Sequence, residues 1–143
     1  MYRKILLAYD GTREGRAVLR EGADLAKAFG AEAILLSIVN LPSYLILAEA
    51  VASDGLPSAD QQEAEQILAE GVSKMQAYGV EGSGQLAVGE PEQEILRVAQ
   101  AEQVDLIVIG HRRKATWEFW RFGSVGQRLL NEAQCSVLVA VER

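Results

Sequence analysis

Two glycine turns bracket the residues of this chain with the most chemistry in them. Gly110 follows the apolar run Val104-Asp105-Leu106-Ile107-Val108-Ile109, and Gly123-Ser124-Val125 opens a segment of helical period. Between them lies the basic, aromatic stretch His-Arg-Arg-Lys-Ala-Thr-Trp-Glu-Phe-Trp-Arg-Phe. Backbone N–H groups at a helix start, helped by the helix dipole, hold anions, and a glycine at a strand end lets a ligand approach the backbone. The spacing points to a nucleotide site. A second candidate, Tyr9-Asp10-Gly11-Thr12, ends the first apolar run. Asp10 there suits hydrogen bonds from a ribose or a base, or a metal held through water. The plainer role is a turn aspartate capping the next helix alongside Thr12, just as Gly110 could simply end a strand and Ser124 simply cap a helix.

Other chemistries find less support. There is no G-x-x-x-x-G-K-S/T loop, and Ser124 lacks a nucleophile elbow because Phe122 stands where its first glycine would be. A triad can be drawn from Ser124, His111 and Asp10, but no general base or firm metal site stands out, so an enzyme is not expected. No Cys/His cluster suggests zinc. Gly82-Ser83-Gly84-Gln85-Leu86-Ala87 spells a dinucleotide fingerprint, yet it reads as preceding a strand, which is the wrong geometry.

The elements that must position these residues alternate along the chain. Ile5–Tyr9, Ala33–Val39, Gln85–Val88, Leu106–Ile109 and Val137–Val141 are short apolar runs that read as strands, mostly buried on both faces. Between them lie amphipathic segments. The first predicts a face of Val18, Gly22, Leu25 and Phe29, closed by Gly30. The second runs from about Ser58 to Tyr78, with a capping box at Ser58 and Gln61 and a stripe of Ala64, Leu68, Gly71, Met75 and Tyr78. The third starts at Pro91 and buries Ile95, Val98 and Ala99; the fourth starts near Ser124 and buries Val125, Leu129 and Ala133. The order βαβαβαβαβ predicts an α/β domain, an open parallel five-stranded sheet with helices on both faces. Asn40–Pro57 is the one irregular section, its apolar stretch Tyr44–Ala52 reading as a short helix or a flap.

A chain of 143 residues with 49% hydrophobic and 24% charged residues makes one ordinary domain. A net charge of −6 and a pI near 4.8 disfavour nucleic-acid or anionic-membrane binding by the whole surface. No run approaches a membrane span, and Ile5–Tyr9 is too brief for a secretory leader. Cys135 is alone, so no internal disulfide forms, and a cytoplasmic protein is expected.

Taken together, these residues resemble the universal stress protein family over essentially the whole chain. The likeness is carried by Asp10-Gly11-Thr12, Gly89-Glu90-Pro91, Asp105–Gly110, and Gly123-Ser124-Val125 ahead of the ending Cys-x-Val-Leu-Val. It implies a single universal stress protein domain over 1–143, with a Rossmann-like, adenine nucleotide alpha hydrolase-like fold. It also implies a stress-response or signalling module, usually a homodimer paired through its last strand, here Val137–Val141. The ligand would be ATP or AMP, with Mg as an accompanying ion and neither obligatory. The pocket would correspond to Asp10, Ile38, Ile109, Gly110, Arg112, Gly123, Ser124 and Val125. No membrane and no nucleic-acid partner is implied.

The family's loop signature is Gly-x2-Gly-x9-Gly-Ser/Thr, and this chain keeps Gly110, Gly123 and Ser124 in register but carries Arg113 at the second glycine. Two outcomes compete. An arginine forced to φ > 0, or filling the space beside the phosphates, weakens the site; one swung outward clasps a phosphate as an ion pair. Arg112, Arg113, Lys114 and Arg121 form the one basic cluster of an acidic protein, which favours an anion. Trp117, Phe119, Trp120 and Phe122 make the loop aromatic, and Trp117–Phe122 is a candidate protein-docking surface for a dimeric scaffold that works without nucleotide. Replacing Arg113 with glycine separates the two outcomes: titrated affinity for ATP rises if the side chain blocks the phosphates and falls if it holds them.

Overall fold

The central apolar runs become strands because they are buried on both faces between two helical layers. A computed structural model describes residues 1–40, 59–111 and 124–142. Strands β1 (Lys4–Ala8), β2 (Glu32–Asn40), β3 (Gly82–Gly89), β4 (Leu106–His111) and β5 (Ser136–Val141) alternate with helices α1 (Arg13–Phe29), α2 (Ala59–Ala77), α3 (Pro91–Ala101) and α4 (Ser124–Glu132). All neighbouring strands are parallel, in the order β3-β2-β1-β4-β5. The chain winds outward from β1 to β3, returns to the other side of β1 with β4, and ends at β5. The winding direction therefore reverses between β1 and β4.

Period-two alternation divides the core cleanly. Ile5, Leu7, Leu35 and Val108 face one layer, where they meet Ala17, Val18 and Leu19 of α1 and Met75 of α2. Leu6, Ile34, Leu36, Ile107 and Ile109 face the other, against Ile95, Val98 and Ala99 of α3 and Leu129 of α4. The predicted buried set of α3 is the observed one.

Elsewhere the predicted faces need adjustment. Phe29 and Tyr78 are 41% and 43% exposed, because both sit where their helices run out beyond the sheet. Phe29 instead meets Tyr2 edge-on at 5.3 Å between ring centroids. In α2, Ile67 and Val72 join Leu68 against the core, while Gly71 and Met75 are its buried residues. Ala133 lies just beyond the end of α4 and packs there half-buried. Strand β5 is an edge: of its residues only Ala140 is fully buried. Ser58, the segment 41–57 and the aromatic loop fall outside the described residues, as does the side chain of Val125.

The strand β3 begins three residues earlier than predicted, so Gly82-Ser83-Gly84 lies inside the strand, not before it. The reason is close packing. A Cβ on Gly82 would stand 2.2 Å from Met75 Cε and 2.7 Å from the Ala33 carbonyl oxygen. One on Gly84 would stand 3.1 Å from Leu68 and Val72. Helix α2 rests directly on these two positions, and side chains there would lift it off the sheet.

Helix ends follow local chemistry. Thr12 caps α1 by accepting from the Gly15 N–H, and Pro91 opens α3 as its first residue. Gly30 ends α1 at φ +62°, the left-handed conformation that lets the next amides return to the last carbonyls. Gln103 does the same job after α3 at φ +54°, with its N–H bonded to Gln100 and that of Val104 to Ala99.

Two substitutions should move stability in opposite directions. Gly22→Ala puts a methyl 2.2 Å from Leu7 Cδ2 in the core, and overpacking of this kind costs about 1–3 kcal/mol. Gln103→Gly relieves a strained left-handed residue and should stabilise by about 1 kcal/mol. Urea unfolding of the two variants beside the parent checks both signs.

Candidate functional site

The reversal between β1 and β4 splays the connections that leave their carboxyl ends, and such a point is where open α/β sheets bind ligands. The register pairs Leu7 with Val108 and Leu7 with Leu35, so the residues just beyond β1 emerge beside the ends of β4 and β2. A cleft of about 390 Å³ opens there. Four predicted site residues meet in it: Asp10, Ile38, Ile109 and Gly110. Its remaining walls include Ala8, Tyr9 and Leu36 from the sheet, Gly15 and Val18 from α1, and Pro91 and Ile95 from α3. Residues about a hundred positions apart in the chain thus share one opening.

The geometry is an apolar slot with a charged rim. Ile109 is buried and Ile38 half-buried, while Asp10 and Gly110 are exposed. Asp10 Oδ1 accepts from the Thr12 N–H at 3.0 Å and from the Thr12 hydroxyl. That hydroxyl in turn accepts from the Gly15 N–H at 3.2 Å. The aspartate therefore fills the turn-bracing role read from the sequence, through one oxygen at the start of a helix whose dipole favours its charge. Behind it, Ser37 is a buried polar side chain whose hydroxyl donates to the Tyr9 carbonyl at 2.9 Å, and the Tyr9 N–H donates to Leu36. These bonds hold the end of β1 against β2 and fix where Asp10 leaves the sheet.

The remaining predicted residues stand apart from this description. Ser124 and Val125 open α4, but their side chains, together with Arg112, Arg113, Gly123 and the stretch Trp117–Phe122, lie outside the described residues. Sequence reasoning also passed over several wall residues. Asn40 lies two positions beyond Ile38 on the same side of β2, and Ile95 stands one helical turn after Pro91, so simple periodicity would have found both. Gly15 carried no such signal.

With the geometry in place, comparison with known proteins is decisive. The family model described as the universal stress protein family matches residues 1–140. The chain belongs to this family. It is 31% identical to a universal stress protein of Thermus aquaticus, over 97% of this chain and 98% of that one. A universal stress protein of Methanocaldococcus jannaschii is 27% identical, over 97% of this chain and 82% of its own length. Among solved structures, the universal stress protein of Archaeoglobus fulgidus in complex with dAMP superposes with a TM-score of 0.71 at 27% identity, covering 97% of this chain and 98% of that one. Among the described residues, no helix is long and apolar enough to cross a membrane.

This member of the family has a second cavity, of about 470 Å³, at the opposite end of the sheet. Leu96, Ala99 and Gln100 of α3 line it, with Gln103, Val104 and Cys135 from the segments that lead into β4 and β5. Cys135 is half-buried here, and burial, then the nearby Asp105 carboxylate, push its thiol above the ordinary value of 9.0. The unfolded chain ionises this thiol first. Its contribution to stability is therefore complete below the ordinary thiol range and is lost as pH rises through the higher folded value. Alkylation of the native protein by iodoacetamide should be slower than that of the urea-unfolded chain at pH 8, with a rate still climbing above pH 9.

Proposed function

We propose that this chain binds an adenine nucleotide in the cleft at the carboxyl ends of β1, β2 and β4, and that binding serves stress response or signalling. The carrying observation is the position of that cleft: it lies at the sheet's winding reversal, with an apolar interior and the Asp10 carboxylate at its rim. Apolar walls from Ile38 and Ile109 suit a purine face, and a carboxylate suits the hydroxyls of a ribose or the amine of a base. The dAMP complex of the Archaeoglobus fulgidus relative supports the same ligand class. In this reading Gly110, Arg112, Arg113, Gly123, Ser124 and Val125 form the phosphate side, with backbone N–H groups and guanidinium charge doing the holding.

The reading is one of binding without turnover. Among the described residues the cleft wall contributes a single carboxylate, and His111, the only histidine of the chain, is not in that described lining. A general acid–base pair is what a hydrolase would add. Among the described residues no three histidine, cysteine or carboxylate side chains gather, so a magnesium ion would be held chiefly by the phosphates of ATP. Edge strand β5, with half-buried Val137, Leu138, Val139 and Val141, is the surface through which a second copy would pair in a cytoplasmic homodimer. A second reading follows from Arg113 and the aromatic stretch Trp117–Phe122: a dimeric scaffold that acts through a protein partner with the pocket empty.

Titration of the purified protein with ATP and AMP by calorimetry tests the choice. Saturable heat at millimolar ligand or below is expected, and Asp10→Ala should weaken it about tenfold, the worth of a hydrogen bond to a charged group. Absence of heat at millimolar nucleotide would favour the scaffold, and steady phosphate release abolished by Asp10→Ala would replace binding with hydrolysis.

A further inference from the structure

Gly15 is the third residue of α1, and nothing in its own backbone calls for glycine. It is not among the positive-φ glycines, which among the described residues are Gly11, Gly30, Gly79 and Gly89. Inside a helix glycine is among the poorest choices. The reason for it is spatial and lies across the turn. A Cβ at Gly15 would stand 2.7 Å from Asp10 Oδ1 and 3.2 Å from Tyr9 Cδ2. The first distance is shorter than any carbon–oxygen contact can be held. Tyr9 is buried at 3% exposure and has no room to yield, whereas the Asp10 carboxylate is exposed and can rotate. The same carboxylate oxygen is the one bonded to the Thr12 N–H and hydroxyl, and that hydroxyl receives the Gly15 N–H. One small loop therefore closes on itself: the backbone of Gly15 steadies Thr12, Thr12 steadies Asp10, and the missing side chain of Gly15 leaves the carboxylate its place. Both Thr12 bonds fall on Oδ1, and in this reading Oδ2 is the oxygen offered to a ligand.

We propose that Gly15 is a positioning residue, setting the orientation of Asp10 and so the strength with which the cleft holds a ligand offering N–H or O–H donors. The proposal rests on the nucleotide reading of the cleft, and Gly15 acts only through Asp10. Alanine at this position improves the helix while expelling the carboxylate from its bonded orientation, so stability and affinity part company.

The experiment is a double-mutant cycle on Gly15→Ala and Asp10→Ala, with ATP and AMP as probes, calorimetric affinity as one readout and thermal midpoint as another. A third readout is amide exchange at Thr12 in the ligand-free protein. Gly15→Ala should lose about tenfold in affinity, matching the loss of one charge-assisted hydrogen bond, while its thermal midpoint stays equal to or above the parent's. Protection of the Thr12 amide should fall. In the Asp10→Ala background the Gly15→Ala change should cost nothing further. Unchanged affinity in Gly15→Ala with a parent that binds overturns the proposal alone. So does an equal loss in both backgrounds, which would mean that the methyl obstructs the cleft itself. A parent that binds neither nucleotide overturns the reading of the cleft, and this proposal with it.

Discussion

The parallel pairing of β1 with β4 is the contact on which the rest of the molecule turns. Were β4 to add beyond β3 in chain order, the sheet would wind in one direction and all crossovers would lie on one face. Placing it on the free side of β1 sends α3 and α4 to the opposite layer from α1 and α2. It also leaves the connections from β1 and β4 diverging over a common opening. The pairing is secured at its far end. Asp105, just before β4, accepts from the Arg3 N–H at 2.8 Å and the Lys4 N–H at 3.2 Å. That end of the contact is thus fixed by a group outside the regular ladder, while the Ser37–Tyr9 bond ties the other end of β1 to β2.

Close approach between layers is the second organising fact. Missing side chains at Gly22, Gly71, Gly82 and Gly84 let α1 and α2 settle onto the sheet, where Leu7, Tyr9 and Met75 occupy the space. Tyr9 is the residue that joins this packing to the cleft. Its ring lies against Gly71 of α2 and near Gly15 of α1, and its backbone leads directly to Asp10. A buried core ring therefore sets the origin of the turn that carries the carboxylate.

The sequence exposes much of this plan, because the information is local. Strand runs such as Leu106–Ile109 and the buried triad Ile95, Val98 and Ala99 announce themselves by period alone, and Asp10-Gly11-Thr12 announces a turn. Strand order is partly legible too, since a βαβ series can cross only right-handed and a family likeness narrows the choices. What local pattern hides is anything decided by a neighbour distant in sequence. Gly82 and Gly84 look like loop residues until α2 is placed upon them. Phe29 looks like core until the helix is seen to outrun the sheet. Gly15 looks like a weak spot in a helix, and only the carboxylate beside it gives it a purpose.

The central place of β1 also bears on how the molecule comes into being. Of the five strands this one is synthesised before the others, yet the carboxylate that fastens its leading edge lies 102 residues after Arg3. The β1–β2–β3 half can gather early, but β1 keeps one bare edge until β4 has been synthesised and swung back to cover it. Such long-range closure is slow compared with helix formation, and an uncovered strand edge invites wrong partners meanwhile. The opening between β1 and β4 is accordingly among the last features to exist in a newborn chain.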